Sequence, residues 1–259
     1  MVQISVKGWH DLMVQKLIEA INIKKSFADL HTLEDVSISL EKNQFVSILG
    51  PSGCGKSTLF DIISGLEKPD SGAILIEGNN FEGKTGRVSY MHQKDLLFPW
   101  NSVLDNVIIP LRIKGFRKTQ ARKKALGYFK TFGLEGFENS YPVHLSGGMR
   151  QRAALLRTYL FSNDIMLLDE PFGSLDAITR HKMQQWLLDI WGRIESSILF
   201  ITHDLDEAIF LSDRIYLLSS RPAVVRKIFD IRIKRPRDNS SIISEEFTRI
   251  KKQILELLY

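Results

Sequence analysis

The sequence predicts an α/β fold: an α/β core with an antiparallel β subdomain on its N-terminal side and an α-helical subdomain inserted within it. Three observations lead there. Apolar runs at 36–40, 45–50, 165–169, 197–204 and 214–219 read as strands, with helical stretches between several of them. The run GPSGCGKST at 50–58 follows one of these strands as a glycine-rich turn leading into a helix. Between 103 and 160 the texture changes to helical spacing, seen in Ala121, Ala125, Leu126, Phe129 and Phe132, with Thr119 as the expected cap and Gly133 as the expected stop.

In chain order, residues 1–14 read as an N-terminal extension and 15–259 as one domain. Residues 15–93 and 163–259 form the α/β core with its β subdomain, and 94–162 form the helical insert. Segments from about 21 to 40 form the antiparallel sheet. The turn Glu41, Lys42, Asn43, Gln44 places at its third position an asparagine, which tolerates positive φ. At the C-terminal end, Phe247, Ile250, Ile254, Leu257 and Leu258 recur at helical spacing and predict one amphipathic helix.

The chemistry-bearing residues cluster at the strand ends. Gly50, Gly53 and Gly55 let backbone N–H groups turn toward one anion at a helix N-terminus, and Lys56 adds a positive charge. The strand at 165–169 delivers Asp169 and Glu170 to its C-terminal edge, where parallel sheets bind ligands. Asp169 suits Mg²⁺, and Glu170 is then free to polarise a water against a γ-phosphate. Leu145, Ser146, Gly147 and Gly148 offer a second hydroxyl-and-amide anion site. A chain with one phosphate loop has no obvious need of another, so the economical reading is that this site grips nucleotide held by a second subunit. Gln93 stands at the junction with the insert, where a neutral amide can touch Mg²⁺ or the attacking water. His203 ends a strand placed beside the Glu170 edge, where an imidazole can orient that water.

Taken together, GPSGCGKST, Gln93 in YMHQ, LSGGMRQR, IMLLDEPFGSLD and ITHD resemble the nucleotide-binding subunit of ATP-binding cassette (ABC) transporters. The motifs stand in the expected order over nearly the whole chain. Leu97, Phe98, Pro99 and Trp100, with LLSSRP ahead of RIKRPR, are similar to importer ATPases of the nitrate, sulfonate and taurine type. The resemblance implies a P-loop NTPase (RecA-like) core, and ATP and Mg²⁺ as cofactors. It implies ATP hydrolysis in a head-to-tail homodimer coupled to transport through separate transmembrane permease subunits, with an extracytoplasmic substrate-binding protein upstream. The chain would sit peripherally on the cytoplasmic face of the membrane.

Residue by residue, the resemblance assigns nucleotide phosphates to Gly50, Pro51, Ser52, Gly53, Cys54, Gly55, Lys56, Ser57 and Thr58. It assigns the metal to Ser57, Gln93 and Asp169, and catalysis to Glu170, His203, Gln93 and Lys56. Ser146, Gly147, Gly148 and Asp176 would complete the neighbouring subunit's site. Phe27 matches the adenine-stacking position, where the family more often has Tyr; packing in the core is the alternative. Asp176 equally suits a helix N-cap. Trp100 either docks a helix of another protein or packs within the insert.

Composition narrows the rivals, which are a soluble cassette ATPase acting on ribosomes or nucleic acid and an ATP-dependent assembly scaffold. Hydrophobic residues make up 44% and charged ones 25%, and no run approaches the ~18 apolar residues of a membrane span. The lone Cys54 allows no intramolecular disulfide or zinc cluster and reads as a loop filler. Net charge is +5, with basic residues grouped at 112–124 and 232–237. Neither group interleaves with aromatics in a base-stacking pattern, so no nucleic-acid partner is expected. Both groups read as solvated faces or as faces near anionic lipid headgroups.

Overall fold

The computed structural model describes residues 16–162 and 164–258; the expected extension at 1–14 lies outside the described residues. A long antiparallel hairpin opens the described chain, β1 (Lys16–Phe27) with β2 (Leu30–Glu41), paired from Lys16↔Glu41 to Phe27↔Leu30. After the turn at Asn43, whose φ is 57°, comes β3 (Phe45–Leu49), buried at every residue. The phosphate loop then leads into α1 (Lys56–Ser64). Two further strands, β4 (Ser71–Ile76) and β5 (Asn79–Asn80), extend the hairpin's sheet beyond β1. The β subdomain is therefore larger than residues 21–40, because residues on both sides of the loop build it.

Next along the chain, β6 (Ser89–Met91) leads to the insert: α2 (Val103–Val107), α3 (Ile109–Ile113), α4 (Lys118–Phe129) and α5 (Gly147–Phe161). The expected cap at Thr119 is corrected by the structure. Helix α4 starts two residues earlier, with Arg117 as its N-cap, because the Gln120 side chain reaches back to accept the Arg117 N–H at 3.1 Å. Ala121, Ala125, Phe129 and Phe132 are buried as their spacing requires, whereas Leu126 is exposed.

The core strand β7 (Ile165–Asp169) follows, then α6 (Ala177–Ile194), β8 (Ser197–Thr202), α7 (Leu205–Leu211), β9 (Arg214–Leu218) and β10 (Ala223–Asp230). The chain ends in α8 (Asn239–Ile242) and α9 (Glu245–Leu258). One ten-stranded sheet runs β5-β4-β1-β2-β10-β9-β3-β8-β7-β6. Its β9-β3-β8-β7-β6 half is parallel, and β10 joins the halves, antiparallel to β9 and parallel to β2. Strand alternation divides the interior in two. Met166 and Leu168 pack with the insert, α6, α7 and α9, while Ile165 and Leu167 pack with α1 and the hairpin.

The basic run at 232–237 is a solvated face only in part: Arg232 and Lys234 are exposed, while Arg235 and Arg237 turn inward. Arg237 is buried and donates to the carbonyls of Ile209, Phe210 and Ser212 at 2.7–3.1 Å and of Ile233 at 3.1 Å, closing the C-terminal end of α7. Burial lowers its pKa to about 10. Arg235 pairs with Asp213 at 2.8 Å and lies over the Trp191 ring. Arg237→Met would leave these acceptors without their donor, so urea unfolding should show a loss of roughly 1–3 kcal/mol. An unchanged midpoint would mean that the carbonyls find other partners.

Candidate active site

The turn from β3 into α1 is shaped by its glycines, each for its own reason. Gly55 has φ 114°, and a Cβ there would lie 2.8 Å from side-chain carbons of Thr32 and Leu33 on β2. Gly53 is also left-handed, at φ 75°. At Gly50 the limit is space, since a Cβ would come 3.1 Å from Leu218 Cβ and 3.2 Å from Cys54 Sγ. Lys56 is buried and donates to the Gly50 and Pro51 carbonyls at 2.9 Å each, so its ammonium is held along the loop. Burial pushes the Cys54 thiol up, in keeping with a filler and against a reactive thiol.

These residues wall a cleft of about 320 Å³, lined by Ser52, Gly53, Gly55, Lys56, Ser57, Thr58, Gln93, Asp169, Glu170 and Arg221. Arg221 is a site residue that the motifs do not single out. It stands just after β9 and donates to the Gly53 carbonyl.

Across the cleft, β7 ends at Asp169, which is buried. Burial raises its pKa, opposed by hydrogen bonds from the Ser57 and Tyr90 hydroxyls. Glu170 takes the left-handed conformation at φ 41°, unusual for a residue with a side chain. Its N–H donates to Ile201 of β8 at 3.0 Å, and its carbonyl accepts from Gly173 at 3.1 Å. This turn aims the Glu170 carboxylate at two partners: Oε2 accepts from Gln93 Nε2 at 3.3 Å and lies 3.1 Å from His203 Nδ1. The strand order explains the meeting, since β6, β7 and β8 are neighbours whose C-terminal ends carry Gln93, Glu170 and His203.

Beneath His203 lies a buried residue that sequence reading missed. Glu207 accepts from the Thr202 hydroxyl and from Gln184 Nε2 of α6 at 3.1 Å, and burial raises its pKa to about 7. In DLDEA it looks like an ordinary exposed acid in a first helical turn, so its burial leaves no local signal.

Ser146, Gly147, Gly148 and Asp176 do not line this cleft. Exposed Ser146 caps α5, accepting the Met149 N–H at 3.3 Å. A Cβ at Gly147 would come 3.0 Å from Leu175 Cδ2, and one at Gly148 would come 3.4 Å from Met183 Sδ, so the small residues let α5 pack against α6 and the turn before it. Asp176 caps α6, and hydrogen bonding to Thr179 holds its carboxyl low. Phe27 is 43% exposed at the hairpin tip, under the Lys25 ammonium, and therefore is not a core residue. Trp100 is 72% exposed and stacked on Phe98 at 5.3 Å, which excludes packing inside the insert.

A glycine loop opening into α1, two carboxylates on the adjoining strand edge and a capped helix start outside the cleft fit an ATP-hydrolysing cassette. The chain belongs to the ABC transporter family, whose model matches residues 33–173. It is similar to the aliphatic sulfonates import ATP-binding protein SsuB of Bacillus cereus, 40% identical over 90% of each chain. It is likewise similar to the formylaminopyrimidine import ATP-binding protein ThiZ of Halalkalibacterium halodurans, 38% identical over 95% of this chain and 98% of that one. Among solved structures, a dimeric bacterial ABC transporter cassette, MJ0796, matches with TM-score 0.72 at 31% identity, over 83% of this chain and 99% of that one. A dimeric post-hydrolysis state of the same cassette bound to ADP and Pi matches with TM-score 0.71 at 29% identity, over 83% and 99% respectively. The protein is an ATP-binding ATPase.

Two predictions follow from the geometry. Phe27→Ala should weaken ATP binding by roughly 1 kcal/mol with little change in thermal stability, because the ring is exposed; unchanged affinity in a titration would remove the stacking role. Glu207 tests burial. Its folded pKa of about 7 exceeds the ordinary 4.5, so the folded chain holds the proton more tightly. Its contribution to stability is full below the unfolded pKa and is lost as pH rises through the folded one. Glu207→Gln cannot ionise, so its stability relative to the parent should rise between pH 5 and pH 8, on the order of 1–3 kcal/mol. A pH-independent difference in melting would show that the carboxyl ionises freely.

Proposed function

We propose that this chain is the ATP-hydrolysing subunit of an importer for a small organic solute, working as a head-to-tail homodimer beneath transmembrane permease subunits. The observation that carries this reading is the split of its two anion sites. The phosphate loop shares a cleft with Glu170, whereas Ser146 to Gly148 stand outside it. A second copy facing the first would bring Ser146, Gly147, Gly148 and Asp176 to the exposed side of that cleft, with ATP between the two chains.

Lys56 and the loop N–H groups hold the phosphates, and Phe27 stacks on the base. Glu170 takes the proton from the attacking water, and Gln93 and His203, both against its carboxylate, keep that water and the γ-phosphate in line. The products are ADP and phosphate. The oxygen donors fit Mg²⁺: a buried carboxylate on Asp169 hydrogen-bonded to the Ser57 hydroxyl, with the Gln93 amide lining the same cleft. Bound by Ser57, Asp169 and Gln93, the ion would neutralise phosphate charge.

The helical unit, residues 94–162, ties the two phosphate-facing elements together. Arg157 of α5 donates to the Asp95 and Leu96 carbonyls at 2.5 and 2.7 Å, and Arg150 lies 3.3 Å from Asp95, so the segment after Gln93 is bonded to the helix that Ser146 caps. Asn106 holds the next residues by a pair of bonds to Phe98, at 2.7 and 3.0 Å, which presents the Phe98–Trp100 stack outward. That stack suits docking of a permease helix. An extracytoplasmic binding protein would deliver the solute, and the chain would act at the cytoplasmic face of the membrane with no nucleic-acid partner. Among the described residues, no helix is long and apolar enough to cross a membrane, so the permease supplies the spans.

Glu170→Gln keeps the shape and removes the base. Hydrolysis should fall by ~10² to 10⁴ with ATP affinity retained, and the variant should accumulate as an ATP-dependent dimer on size-exclusion chromatography. Adding Ser146→Arg should return it to monomer that still binds nucleotide. Normal turnover by Glu170→Gln sinks the assignment of the base; a monomer at high concentration with ATP bound sinks the shared site.

A further inference from the structure

Of the two basic groups in the sequence, the one at 232–237 turns Arg235 and Arg237 inward and leaves Arg232 and Lys234 exposed, whereas the one at 112–124 stays almost wholly on the surface. It holds seven Lys and Arg and no acid, and every residue from Arg112 to Gln120 is exposed. Asp105 engages Lys118 at 3.3 Å and Arg122 at 2.8 Å. Arg112, Lys114, Arg117, Lys123 and Lys124 have no carboxylate partner among the described residues; Arg112 donates to the Phe116 carbonyl at 2.7 Å and Lys114 to that of Phe161. Two apolar side chains project between them: Ile113 is 74% exposed and Phe116 37%.

Behind this turn lies a hollow of about 230 Å³ between α3, α4 and α5. Lys114 and Lys124 contribute to its lining, together with Phe116, Tyr128 and Phe161. The Lys114 ammonium lies over the Phe161 ring at 5.1 Å and that of Lys124 over the Phe116 ring at 5.3 Å. Phe161 also lines a second hollow of about 270 Å³ that reaches His92, next to Gln93. The basic turn is therefore joined through Phe161 to the hollow that ends at His92.

We infer that the α3–α4 turn is a contact for anionic phospholipid, with headgroup phosphates taken by the Arg and Lys side chains that lack a carboxylate partner and Ile113 and Phe116 entering the membrane interface. The setting rests on the importer reading; the chemistry does not. Free phosphate would gain nothing from an exposed isoleucine, and a nucleic acid would leave both apolar side chains wet. Anionic lipid uses both halves of the surface, charge and hydrocarbon.

The test is co-sedimentation of the full chain with vesicles of phosphatidylcholine alone and of phosphatidylcholine with phosphatidylglycerol, at low and high salt. The parent should pellet only with the anionic vesicles, and less so as salt rises. At about fivefold per basic residue, Lys123→Glu with Lys124→Glu should weaken binding by more than about twentyfold. Ile113→Ser with Phe116→Ser should weaken it severalfold while the salt dependence remains. Since none of the four lines the nucleotide cleft, ATP hydrolysis in solution should match the parent in both pairs. Equal binding to neutral vesicles, or parent-like pelleting of either pair, overturns the inference. So does tight binding to duplex DNA without pelleting on anionic vesicles, which would mark a nucleic-acid surface. Vesicle binding by a chain that fails to hydrolyse ATP would instead defeat the catalytic reading and leave the lipid contact standing.

Discussion

The rest of the structure is arranged around the contact of Gly55 with β2. At φ 114°, and with no room for a Cβ against Thr32 and Leu33, this residue lets the chain turn from β3 into α1 while pressed on the hairpin. The close approach brings the hairpin end, with Phe27 at its tip, onto the phosphate loop. The same turn sets Lys56 at the start of α1, where its ammonium meets the loop carbonyls. Sheet order does the remainder: with β8 and β7 beside β3, the groups at their C-terminal ends arrive at the loop without any long-range adjustment.

From Glu170, two chains of contact lead to surfaces that face other molecules. One passes through Gln93 and the segment after it to Arg157 and Arg150, and so to the helix capped by Ser146. The other passes through His203 and Thr202 to Glu207 and Gln184, on the helix capped by Asp176. In both cases a side chain at the cleft is bonded, within a few residues, to a helix whose N-terminus lies outside it. The carboxylate that would act on water is thus held by the elements that would meet a second copy, which is the arrangement a site completed only by dimerisation requires.

How far the sequence could be read depended on whether the signal was local. The buried parallel strands were legible because a strand covered on both faces must be apolar throughout, as at 165–169. Strand β10 was not, since AVVRKIFD is half exposed and its charges look like a loop. The phosphate loop, Asp169 and Glu170 were legible because backbone geometry demands their residue types in an unbroken run. Arg221 and Glu207 were not, because each depends on contacts across the fold. The cap of α4 was misplaced although its signal is local: Gln120 accepts the Arg117 N–H three residues back, so the helix begins ahead of Thr119.

The excess of positive charge resolves in the same way. An arginine's long stem and planar fork let it be buried wherever several carbonyls converge, so Arg237 serves the open end of α7 and is lost to the surface. Basic residues on α3 and α4 meet no such set of acceptors. Those helices are already packed into the insert's core by Leu111, Ala121 and Ala125, so most of their cations project outward. Net charge therefore says little by itself about a partner. What matters is which cations the fold consumes, and here the larger exposed group sits beside exposed isoleucine and phenylalanine, a pairing that water alone does not satisfy.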